Sequence, residues 1–271
     1  GVGVAGAGIS AAVAMGALVL GGNVTIAFQL GLTLIIPAAL LCVLALRYRR
    51  SIDDEIFWYP SGYVLTALVL YAVALFLVTL VMMSGHEGGL PGFISKAYDA
   101  MMDGVLKAYS DTSGAVPPEQ VEASKLAGNF MKQYLPSLFM ISFTSMLAIS
   151  GVVAQISLRN TGMAIRSDFS LANFTLPSWL LYIAAAVGVM AFLPDDTISF
   201  FGLNATPVLL LPFFVMGLSV FHAWAKPRKY RTLWLILFYI VLSIGWPALL
   251  VVALGVVEPF VNIRAKVGEK T

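Results

Sequence analysis

Charge is scarce in this sequence. Only 11% of its 271 residues are Asp, Glu, Lys or Arg, against about 25% in soluble domains, and 59% are hydrophobic. That balance excludes a water-soluble globular domain. Cysteine is nearly missing as well: Cys42 stands alone inside an apolar run, which excludes an internal disulfide and any cysteine-based metal spacing. Apolar and polar residues do not alternate, so a β-barrel is excluded, and no basic stripe is present for nucleic acid. What remains is an all-α, polytopic transmembrane helical bundle in the lipid bilayer, in which each segment satisfies its own backbone.

Apolar runs near the roughly 20 residues needed to cross about 30 Å of hydrocarbon occur at about seven places: 1–20, 24–46, 60–83, 135–157, 177–193, 200–225 and 232–257. Residues 1–271 read as a single transmembrane domain. Gly1 falls inside an apolar run, so further N-terminal helices are expected. Arginines follow the second, fourth and sixth segments, while the alternate connections have none. Positive residues in short loops stay in the cytoplasm, which assigns 47–58, 158–176 and 226–231 to the cytoplasmic side. A single crossing by the seventh segment then puts the tail, with Arg264 and Lys266, outside. Gly245-Trp246-Pro247 interrupts that segment. A kinked single span is the first expectation, because proline removes a backbone donor and bends a helix. A re-entrant pair returning the tail to the cytoplasm is the alternative.

The stretch 84–134 forms an external amphipathic helical insertion. Ile94, Ala97, Met101, Val105 and Tyr109 share one helical face, and a second helix resumes after Pro117-Pro118 with Leu126, Phe130 and Tyr134 in register. Two helices lying at the membrane–water interface fit this pattern, as a connector or as a lid over an external cavity.

Chemistry is sparse. The 16 Lys and Arg and 14 Asp and Glu all fall in connections, at segment edges or in the tail, and an intramembrane charge would be the usual mark of a functional site. No catalytic constellation, metal site or cofactor motif is present, and no enzyme is expected. "GVGVAG" matches a dinucleotide fingerprint only formally, since no strand precedes it. His222 beside Trp224 reads as an interfacial anchor. The uncharged polar residues at depth are the candidates for ligand binding: Thr25, Gln29 and Thr33 on one face, and Asn204 near an outer end. For Gln29 a bond to a neighbouring helix is the plainer reading. Gly8, Ala12 and Gly16, spaced by four, let helices approach closely, either at the bundle centre or against another membrane subunit.

"DDEIFWYPSGYVL", "LFYIVLSIGWPALLVVALGVVEPFVNIRAK" and the small-residue opening together resemble the YybS-like family of bacterial membrane proteins (domain of unknown function 2232). Trp58, Tyr59, Pro60, Gly245, Trp246, Pro247, Phe260, Asn262 and Arg264 hold the motif positions, with Glu258 and Asn262 standing where the family more often has Asp. The resemblance implies a fold distantly similar to the substrate-binding S-components of energy-coupling-factor transporters and to MreD. Two functions follow as expectations. One is an S-component-like subunit for small-molecule binding or uptake; the other is an assembly subunit that packs partner helices through its small-residue faces.

Overall fold

The computed structural model describes residues 2–114, 117–166, 171 and 174–268. Its helices are α1 (Val2–Leu20), α2 (Val24–Leu30), α3 (Ile36–Ala45), α4 (Ser61–Met83), α5 (Gly89–Ser113) and α6 (Pro118–Asn160). They continue with α7 (Trp179–Met190), α8 (Asp196–Ala225), α9 (Arg231–Leu242), α10 (Pro247–Val261) and α11 (Ile263–Gly268). Among the described residues four helices are long and apolar enough to cross a membrane: Val24–Ala45, Ser61–Met83, Glu119–Asn160 and Asp196–Ala225. A fifth is added if α9 and α10 count as one bent span. Three of the seven expected spans are not among these four. Segment 177–193 forms a helix of only 12 residues, about 18 Å at 1.5 Å per residue, the last segment is broken, and α1, although 19 residues long, is not among the four.

The break is sharp. Gly245 has φ 98°, a left-handed conformation open to a residue without Cβ, and Pro247 opens α10. The two helices meet at a bend of 116°, which turns the chain back on itself. A bend of this size fits either a broken single span, the first expectation, or a re-entrant pair, the alternative.

The expected second interfacial helix is also different. From Pro118 the chain runs 43 residues as one helix with Pro136 inside it, about 65 Å, so the amphipathic stretch and the span are continuous. Along it Gly128 faces Tyr98 of α5, whose ring would lie 2.9 Å from an added Cβ, and Lys132 pairs with Asp99. Of the predicted α5 face, Ile94 is buried while Met101, Val105 and Tyr109 are exposed.

A short β-hairpin, β1 (Tyr48–Arg50) with β2 (Ile56–Trp58), was not legible as such. Its strands pair antiparallel, Tyr48 opposite Trp58, with the two rings edge to face at 5.5 Å. A β-bridge of three residues a side leaves the all-α class intact.

The chain divides into two compact units: 1–71, 143–180 and 211–271 form the first, 72–142 and 181–210 the second. In the first, Leu65, Phe174 and Met216 make a buried cluster joined by Ala148, Leu176 and Val215. In the second, Phe76 stacks on Phe201 at 5.7 Å and is buried beside Phe200. Helices α8 and α10 of the first unit cross almost backbone to backbone. A Cβ on Gly217 would sit 1.9 Å from the Val251 carbonyl oxygen, and one on Gly255 1.8 Å from that of Phe213. Gly8 and Gly16, by contrast, have nothing within 4 Å of their Cβ positions. Gly255→Leu is therefore expected to lower stability by about 3 kcal/mol or more through overpacking, and Gly16→Leu by less than about 0.5 kcal/mol. Unfolding of both variants in detergent micelles checks the contrast.

Candidate functional site

Both motif stretches converge on one loop of the first unit, the connection between α6 and α7. Arg166 is the first tie. Its Nη1 donates to the Ala45 carbonyl and its Nη2 to that of Tyr59, each at 3.0 Å. Ala45 ends α3 and Tyr59 follows β2, so one planar guanidinium, whose fork suits two acceptors at once, closes both ends of the hairpin loop. The backbone Tyr59 N–H closes the same loop on the Arg47 carbonyl at 2.9 Å. Gln155 Nε2 donates to the carbonyl of Arg166 itself at 2.9 Å. Desolvation by burial draws the Arg166 pKa below its usual value, yet a guanidinium stays charged at neutral pH.

The second tie is a close approach. Pro60 opens α4, and a Cβ on Gly62 would lie 2.0 Å from the Thr175 carbonyl oxygen. Only glycine admits the loop at that distance.

Arg264 is the third tie. Asn262 ends α10 in the left-handed conformation, φ 51°, and thereby turns two successive N–H groups back towards Glu258. The Ile263 N–H donates to Glu258 Oε2 at 2.9 Å, and Arg264 Nε to Oε1 at 2.8 Å. Arg264 Nη1 then donates to the Phe174 carbonyl at 2.9 Å. Glu258 is 2% exposed, so the rule that every charge lies outside the packed segments has an exception at the foot of α10. Such a carboxylate is tolerable because it is paired and hydrogen-bonded; removing the partner of a buried ion pair costs about 3–5 kcal/mol.

Asn204 belongs to the second unit, where it is fully buried. Pro136 interrupts the hydrogen-bond ladder of α6, and the Asn204 amide is inserted there. Its Oδ1 accepts from the Ser137 N–H at 3.0 Å, and its Nδ2 donates to the carbonyls of Gln133 and Phe200, both at 3.0 Å. Ser137 and Gln133 would bond each other in an unbroken helix; the amide replaces that bond with two. The position expected to contact a ligand thus has both amide hydrogens given to backbone.

Thr33 Oγ1 bonds back to the Gln29 carbonyl at 2.8 Å. Gln29 and Thr25 are exposed, and neither side chain has a hydrogen-bond partner among the described residues. Gly8 and Ala12 are exposed and Gly16 half-buried, with no neighbour drawn close to either glycine. Trp246 is 64% exposed at the bend while Pro247 is buried. Trp58 and Tyr59 are half-buried and Phe260 exposed. Arg166, Gly62, Phe174, Gly217 and Gly255 were missed. Nothing local marks them, since Ala45 and Tyr59 for Arg166, Thr175 for Gly62, Arg264 for Phe174, Val251 for Gly217 and Phe213 for Gly255 all lie 34 or more residues away in sequence.

The fold and its ties define a polytopic helical membrane protein. More particularly, the chain belongs to the DUF2232 family of predicted membrane proteins, whose family model matches residues 3–258. That is the family which the Trp58-Tyr59-Pro60 and Gly245-Trp246-Pro247 motifs indicated. No curated protein and no solved structure matches the chain.

Asn204→Leu is expected to cost about 1–3 kcal/mol, the penalty for a buried backbone group left unpaired. Pro136→Ala in the same chain should recover part of it by letting the Ser137 N–H return to Gln133. Amide exchange at Ser137, combined with unfolding in micelles, reads both effects; equal stability of Asn204→Leu and the parent would remove this role.

Proposed function

We propose that this chain is a non-catalytic membrane subunit that packs against a partner's transmembrane helix through the α1–α2 hairpin. The observation that carries the reading is Gln29. It stands six residues beyond Asn23, about 9 Å along the helix, on a span whose most apolar window is only 17% buried within the chain. Its amide is exposed and unbonded, and an unsatisfied polar group in hydrocarbon costs several kcal/mol. A polar partner from another helix relieves that cost, by about 1 kcal/mol per bond, and the open glycine positions of α1 leave room for close approach.

Small-molecule uptake in the manner of an S-component receives less support. Asn204 is committed to α6: both of its amide hydrogens go to backbone carbonyls and are not free for a ligand.

We further infer that the three basic loops and the tail share the cytoplasmic side. Arg166 joins the hairpin loop to the α6–α7 loop, and Arg264 joins the tail to that same loop. Helices of 12 and 15 residues, about 18 and 23 Å long, enter and leave as a re-entrant pair. This is the alternative topology, and it removes the conflict between the positive tail and an external position.

Two measurements test these statements. A photo-crosslinking residue at position 29 should yield a discrete protein adduct in native membranes, and one at position 43 of the exposed α3 surface should not. A lipid adduct alone at both positions would end the packing proposal, and a small-mass adduct at 29 would favour a ligand. With Cys42→Ser as background, Lys266→Cys should resist an impermeant thiol reagent applied from outside intact cells and react after permeabilisation; labelling from outside would overturn the re-entrant topology.

A further inference from the structure

Two of the three basic loops spend their charge within the chain. In 47–58, Arg50 pairs with Asp54 at 3.5 Å, Arg47 lies over the Tyr59 ring, and Asp53, Asp54 and Glu55 balance the three arginines. In 158–176, Arg166 serves two carbonyls and Arg159 is engaged as well. The stretch 226–231 is different. Lys226, Arg228, Lys229 and Arg231 fall within six residues, and no acid occurs anywhere between Asp196 and Glu258. Glu258 is already taken by Arg264.

The geometry adds a seat. Arg228 stacks on the Trp224 ring, 3.3 Å from its centroid, and donates to the Trp224 carbonyl. That leaves Lys226, Lys229 and Arg231 exposed, with no carboxylate partner among the described residues. Lys229, Tyr230, Arg231, Thr232 and Leu233 line an open surface depression of about 360 Å³, and all five are exposed. Trp224 and Trp234 pack edge to face at 5.6 Å beside it, and Tyr230 is 62% exposed. Amphipathic rings of this kind settle at the headgroup level of a membrane.

We propose that this exposed basic stretch binds the phosphate of an anionic phospholipid. The Lys229 ammonium and Arg231 guanidinium neutralise the phosphodiester, the Thr232 hydroxyl donates to it, and Leu233 meets the start of the acyl region. The ligand is a lipid rather than free phosphate because the Trp224, Tyr230 and Trp234 rings hold the stretch at the interface, where anionic headgroups are concentrated.

The test uses the full chain in phosphatidylcholine nanodiscs titrated with phosphatidylglycerol, with bound lipid counted by native mass spectrometry. Lys229→Gln with Arg231→Gln should weaken retention about thirtyfold, from about one kcal/mol per cation near the surface. Arg49→Gln with Arg50→Gln removes the same charge from another loop and should change it less than about threefold. Arg231→Gln alone should give about fivefold and serves if the double variant loses helicity. Equal losses in both pairs would mean diffuse attraction and overturn the site, as would no loss in either. Millimolar inorganic phosphate should leave the lipid in place; full displacement would make this a soluble-phosphate site and end the lipid proposal.

Discussion

A backbone carbonyl or amide released from its helix where water is scarce must find another partner, and this structure is organised around the side chains that supply one. Near the middle of the second span, Ile36 N–H reaches back to Gly31 across a π-helical turn, and Pro37 brings no N–H. The Leu32 carbonyl is left over, and the Tyr71 hydroxyl of α4 takes it. At Pro136 the Asn204 amide does the same for α6. At the loop ends the work passes to guanidinium groups, Arg166 for Ala45 and Tyr59 and Arg264 for Phe174. Among the described residues the buried Thr144 hydroxyl has no partner and stands outside this pattern.

The same constraint explains what could be read in the sequence. Spans at 24–46 and 60–83 were legible because uninterrupted apolar residues leave a membrane helix no alternative. The helix through Pro136 was cut short in the reading, because the residue that mends it is 68 positions further on. Asn204 did stand out as a polar residue at depth. Its role was hidden, since a local pattern shows a donor and not the distant deficit that the donor fills. Glycines behaved likewise: the regular spacing of Gly8, Ala12 and Gly16 drew attention, yet the backbone crossings occur at Gly217 and Gly255, which share no local repeat. Glu258 was visible as a charge at a segment edge, and only the left-handed turn at Asn262 shows why it can be buried.

Membership of the DUF2232 family gives the motifs a common physical meaning. Trp58-Tyr59-Pro60 lies beside the hairpin closure and the entry to α4, and the stretch from Glu258 to Arg264 covers the end of α10. Each set fixes a different side of the same loop. Polar groups that are not used in this way include Gln29, Lys226, Lys229 and Arg231, all of them exposed.

The tie between Arg264 and Phe174 spans 90 residues of chain, and this has a consequence for biogenesis. At about 5–20 residues per second of synthesis, the Phe174 carbonyl is exposed some 5–18 seconds before its arginine is made. Throughout that interval the four helices α7 to α10 are made with the preceding loop still unfastened, so closure of the tail is the last step that fixes it.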